Sequence, residues 1–204
     1  MENQMLFLRG IKKHRGTLLG IGILLFLTML SLCTVLTFYL EGNAYISTEI
    51  RRSGFGDLTA WVSEVPDVEA LAESIREQEP VDQVQIQNVI YAEYEANGVE
   101  SDSEGQLIPW SAEDGRYRFF QEDLSGYQPS PDQIGQGQVY VSPAMESIAN
   151  VKIGDAIRFS VARSGVNVEL TVAGYYEDPF MGSSMIGMKG FLISQETYDR
   201  ILTV

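Results

Sequence analysis

Between Leu18 and Leu40 the chain runs for 23 residues without a formal charge, and fourteen of them are Leu, Ile, Val or Phe. As a helix such a run is about 34 Å long, against roughly 30 Å of bilayer hydrocarbon. Each of the fourteen favours insertion by roughly 0.3–0.6 kcal/mol near the helix centre. Thr28, Ser31, Thr34 and Thr37 interrupt the pattern, but their hydroxyls can bond back to helix carbonyls. The pattern therefore predicts a transmembrane helix over 18–40. A cleavable signal peptide is the competing reading, with an apolar core of about 7–15 residues and a small-x-small cleavage site. Here the run is longer and leaves through Phe38-Tyr39-Leu40-Glu41, which favours an uncleaved anchor. Residues 41–56 read as a connector that continues the helix and breaks at Ser53-Gly54-Phe55-Gly56.

Beyond the connector the periodicity shortens. Leu58, Ala60 and Val62 alternate with Thr59, Trp61 and Ser63, which predicts a strand over 57–65. Val68, Leu71, Ala72 and Ile75 fall on one helical face, with Asp67 as cap and Pro80 as stop. A long strand is expected over Val84–Glu95, with Ile90, Ala92 and Tyr94 on one side. Glu100–Gly105 is polar and reads as a solvated loop, and Leu107–Trp110 as a short strand. Residues 111–138 carry many turn formers, so irregular structure packed by Tyr117, Phe119, Phe120, Leu124 and Tyr127 is expected. The clearest local grammar follows. Gln138–Val141 is a strand, Ser142-Pro143 starts a short helix, and Val151-Lys152-Ile153-Gly154-Asp155 turns into a hairpin closed near Ser164-Gly165. Phe191–Ile193 reads as a strand, after which Ser194 caps a last helix bearing Tyr198 and Ile201.

Charge changes the picture of the two ends of the anchor. Residues 1–17 carry a net +3, leaving −17 for residues 18–204 of the formal total of −14. The basic cluster predicts a cytoplasmic N-terminus and an extracytoplasmic remainder. Met5–Arg15 mixes apolar and basic residues and reads either as a short helix on the inner membrane face or as a solvated positive flank. The acidic remainder repels phosphate backbones and argues against nucleic acid as a partner.

Candidate chemistry adds little. Cys33 has no second cysteine, and His14 sits in the basic flank without ligand-like neighbours. Asp102 and Glu104 lack the twelve-residue frame of a calcium loop. No nucleotide, nucleophile-elbow or zinc motif is present. No catalytic, cofactor-binding or metal-ligating residue is therefore assigned, and no enzyme activity or cofactor is expected. A carboxylate pair for a membrane-anchored hydrolase stays formally open, without a position to favour. Phe180–Met188 holds Met181, Met185 and Met188 among glycines and serines. It reads as a mobile, adaptable apolar contact loop or, less well without Cys or His, as a copper(I) site.

The order of these elements resembles a known family. The basic flank, the single span and the strand–helix–strand module precede Gly137–Ser142, the Val-Lys-Ile-Gly-Asp turn at 151–155 and Leu170-Thr171-Val172-Ala173-Gly174-Tyr175-Tyr176-Glu177-Asp178. This is similar to the N-terminal part of an FtsX-like, MacB-type ABC transporter permease with its periplasmic core domain. The resemblance is most specific at 151–178 and weakest at 98–137. It implies an α+β fold: one N-terminal transmembrane helix, then a mixed α/β extracytoplasmic domain of the MacB periplasmic-core type, incomplete here. The implied division is 1–17 basic cytoplasmic segment, 18–40 span, 41–56 connector and 57–204 partial core domain. It also implies a permease subunit in the cell membrane that couples ATP hydrolysis by a separate cytoplasmic ATPase to export or to extracytoplasmic conformational work. The implied partners are that ATPase, a second permease copy or homologue, membrane lipids, and an extracytoplasmic substrate or accessory protein. Family permeases have about four or more spans and this chain has one, which reads as a fragment. A single-pass anchored binding or sensing module is the alternative.

Overall fold

The structure is a computed structural model that describes residues 15–54, 56 and 58–203. The basic stretch before Arg15, including His14, lies outside the described residues. The chain divides into two compact units, Met1–Gly56 and Asp57–Val204.

In the first unit, α1 (Arg15–Ser53) is one unbroken helix of 39 residues. It is the one helix among the described residues long and apolar enough to cross a membrane, and its apolar window is wholly exposed. Thr28 and Thr34 donate to the carbonyls of Leu25 and Leu30 at 2.9 and 2.8 Å, so their hydroxyls need no external partner. At 1.5 Å per residue the helix is about 58 Å long, roughly twice the hydrocarbon thickness. Glu41–Ser53 therefore extends the apolar part by about 20 Å. This extension is more polar, with Thr48 donating to Ala44 O and an Arg52–Glu49 pair at 2.8 Å. It ends at Gly54, whose φ of 63° suits a residue without Cβ.

The second unit is a mixed α/β domain. Its elements in order are α2 (Val68–Arg76), β1 (Ile90–Ala96), β2 (Val99–Glu100), β3 (Gly105–Trp110), β4 (Arg118–Phe120), β5 (Tyr127–Gln128) and β6 (Gln138–Val141). Then come α3 (Ala144–Ala149), β7 (Ala156–Val161), β8 (Val166–Glu177), β9 (Lys189–Ser194) and α4 (Gln195–Leu202). Six strands close a ring in the order β1–β3–β9–β6–β8–β7 and back to β1. The β3–β9 and β6–β8 pairs are parallel, and the other four are antiparallel. Closure leaves the six main strands without a long free edge. β2 extends β1, and the small β4–β5 ribbon pairs with the far end of β8.

The core lies inside this ring. Alternate residues Ile157, Phe159 and Val161 of β7 and Leu170 and Val172 of β8 are buried, as period-two patterning requires. The Tyr94, Phe159 and Phe191 rings meet at centroid distances of 4.9–6.4 Å. The β6–β8 register shifts between Val139 and Tyr140. The shift puts Tyr175 into the core cluster and lets its neighbour Tyr176 pack on Tyr117. β8 accordingly runs through Val172-Ala173-Gly174 to Glu177. A second aromatic layer forms outside it, where Phe119 packs edge-on against Trp110 and Tyr140 at 5.3 and 5.1 Å.

Two expected strands are corrected. Residues 58–63 form no strand. Leu58, Trp61 and Val62 are all more than half exposed, and alternation without a partner strand leaves the backbone nothing to pair with. The strand expected from Val84 begins only at Ile90, where β3 and β7 become available as partners. Before that point Val84 O accepts from Arg76 and Gln87 donates to Tyr117. Residues 111–137 are largely irregular as expected, apart from the short β4 and β5. Tyr117 and Phe119 are buried, whereas Tyr127 is half exposed and stacks on Phe120.

Candidate interaction loop

Local signals set the frame around 178–189. Ser142 Oγ accepts from Ala144 N at 3.3 Å, and Pro143 already has helical φ and ψ. That is the Ser cap with Pro at the first helical position read from the sequence. Ser194 accepts from Thr197 N at 3.1 Å and starts α4. Between the ends of β8 and β9, Phe180–Met188 has no regular structure of its own.

The loop is nevertheless anchored at both ends. Asp178 is buried, and its Oδ1 accepts from Phe180 N at 3.0 Å and Met181 N at 2.7 Å. Its Oδ2 accepts from the Tyr176 hydroxyl at 3.1 Å. Burial first, then the Asp178 charge, holds the Tyr176 hydroxyl well above the usual tyrosine range. Tyr117, packed on Tyr176, is pushed up to about 12, mainly by burial. Both phenols are therefore neutral at physiological pH, Tyr176 donating to Asp178 and Tyr117 accepting from Gln87. Gly190 makes this packing possible, since a Cβ there would stand 2.5 Å from the Tyr176 hydroxyl and 2.6 Å from Asp178 Oδ2.

At the other end Lys189 is fully buried. Its Nζ lies within hydrogen-bond reach of four carbonyls, Ser183 O at 2.8 Å, Met188 O at 3.3 Å, Met181 O at 3.5 Å and that of Ile186, which share its three N–H groups. Burial lowers its pKa from the usual lysine value, and Asp178 opposes that fall. The middle of the loop is held by Ser142 Oγ, which donates to Gly182 O at 3.0 Å, and by Gly187, which lies against Ser103.

The three methionines have different surroundings. Met181 is buried, Met185 is 93% exposed, and Met188 Sδ accepts from Gln106 Nε2 at 3.3 Å. No group of three or more His, Cys, Asp or Glu that could hold a metal occurs among the described residues. Phe180 and Ile186 are partly exposed, and Trp61 packs on Phe180 at a centroid distance of 5.6 Å. Leu58 and Val62, misread as a strand, stand exposed on the same segment as Trp61. The arrangement offers an apolar surface on an acidic domain, with shape and dispersion contacts as its chemistry. The sequence singled out this loop but missed Lys189 and Asp178. A lysine beside a glycine-rich apolar run was the available signal.

No family model and no curated protein matches the chain. Among solved structures, the periplasmic region of MacB from Actinobacillus actinomycetemcomitans is similar, with a TM-score of 0.40 and 14% identity. That match covers 66% of this chain and 58% of the other. The chain thus spans less than two thirds of that structure.

Proposed function

We propose that this chain is the N-terminal part of a permease subunit of an ABC transporter. Its N-terminus faces the cytoplasm and its α+β domain faces outward. A separate cytoplasmic ATPase hydrolyses ATP, and the membrane helices pass the resulting motion to the outer domain. That domain performs export or extracytoplasmic work on a substrate or accessory protein.

The observation that carries the reading is a junction. An exposed apolar helix, α1, stands ahead of a domain in which 138–177 folds as strand, capped helix, Gly-Asp turn and hairpin. The sequence resemblance to FtsX-like, MacB-type permeases is most specific at 151–178, which covers the turn and hairpin of that segment. The continuous helix also suits the role. A rod of about 58 Å can carry displacement from one membrane face to beyond the other, whereas a flexible tether would absorb it.

Reading the complete gene tests the proposal against a single-pass anchored module. At least three further apolar runs of about 20 residues are expected. A complete gene with this one span would overturn the permease reading.

A further inference from the structure

We infer that Lys189 is a built-in cation that locks the Phe180–Met188 loop, so that its ammonium group fixes where Phe180 and Met185 stand. The inference rests on the loop alone and is independent of the transporter reading.

Lysine ordinarily keeps its charged head in water while its stem covers apolar surface. Lys189 departs from this, being fully buried at the start of β9. A buried ammonium is costly unless its lost hydration is replaced. Here the replacement comes almost wholly from one segment, the carbonyls of Met181, Ser183, Ile186 and Met188. The loop has few backbone bonds of its own, chiefly Gly182 N to Asp178 O and Ile186 N to Ser183 O. Its carbonyls therefore turn inward onto the cation.

Asp178 does the converse at the loop entrance, taking the N–H groups of Phe180 and Met181. One buried acid binds donors and one buried base binds acceptors. Bonds to charged groups are roughly twice as strong as neutral ones. A glycine- and serine-rich segment, expected to be mobile from its composition, is thereby held in one shape. With the polar backbone turned inward, Met185 is left 93% exposed and Phe180 44% exposed. Lys189 is thus a positioning residue for an apolar contact surface.

Two measurements on the full chain in detergent micelles test this. The first is acetylation of the wild-type protein by an N-hydroxysuccinimide ester, followed by mass spectrometry. The exposed Lys152 serves as internal reference. Lys189 is expected to react more slowly by about tenfold or more, because reaction requires the loop to open. The second is amide hydrogen exchange in K189M, which keeps the stem and removes the charge. Amides of 180–188 are expected to exchange faster by about tenfold or more while β1, β3 and β6–β9 keep their protection. Equal acetylation of Lys189 and Lys152, or unchanged loop exchange in K189M, overturns the inference. Where K189M unfolds altogether, the wild-type acetylation ratio decides alone.

Discussion

A Cβ placed on Gly105 would stand 2.5 Å from Cε2 of the Phe191 ring and 3.1 Å from Cδ1 of Tyr94. The glycine at the start of β3 is what lets the central aromatic cluster sit against the strand. Gly105→Ala is therefore an overpacking substitution, with an expected cost of about 1–3 kcal/mol. Thermal unfolding of the domain in the full chain should show a midpoint lowered by several degrees. Adding Phe191→Leu should recover part of the loss, because the shorter side chain vacates the ring position.

The cap of α2 offers a local test. Asp67 Oδ1 accepts from Ala70 N at 2.9 Å. Asp67→Ala should cost about 1 kcal/mol, and Asp67→Asn much less. The helix is mostly exposed, so hydrogen exchange of its first-turn amides should report the change more clearly than the global midpoint.

Asp155 sets a pH dependence. Its carboxylate accepts from Lys152 N at 2.9 Å and from Asn97 Nδ2 at 3.1 Å. These bonds hold its pKa below the ordinary value of 3.8, with the Lys152 backbone bond the larger cause. A depressed carboxylate adds stability that is complete above the unfolded value and is lost as pH falls through the folded one. Stability should therefore decline as pH falls through and below 3.8, and Asp155→Asn should flatten that part of the profile. Acid titration followed by circular dichroism checks it.

Orientation is tested with single cysteines. Cys33 lies within α1 and is the sole cysteine of the chain. In a Cys33→Ser background, Ser130→Cys on the exposed irregular stretch after β5 should react with a membrane-impermeant maleimide on intact cells. Gln4→Cys should react only after the membrane is opened. The reverse pattern would invert the proposed topology.

Signals that act over a few residues were legible in the sequence. Asp67 and Ser194 cap the helices that they were expected to cap, and the turn at Ser164-Gly165 closes the expected hairpin. The apolar run at 18–40 lies within one continuous helix, whose end at Ser53 is the break that the glycines suggested. What was not legible depends on distant partners. Leu58–Val62 alternates as well as any true strand, yet only strands with a neighbour form. The parallel β3–β9 and β6–β8 pairs, and hence ring closure, join segments whose patterns carry no mark of one another. Lys189 stands next to a glycine-rich apolar run, but its burial was not legible for the same reason. Its burial follows from the fold of the loop before it, whereas a lone lysine ordinarily reads as surface.

The central claim is that this chain works with an ATPase. The most direct measurement is purification of the complete native protein, expressed with its genomic neighbours and extracted in mild detergent. The account predicts that a cytoplasmic ABC-type ATPase subunit co-purifies in fixed stoichiometry and that the complex hydrolyses ATP. Recovery of the protein alone, folded and without ATPase activity, would contradict it.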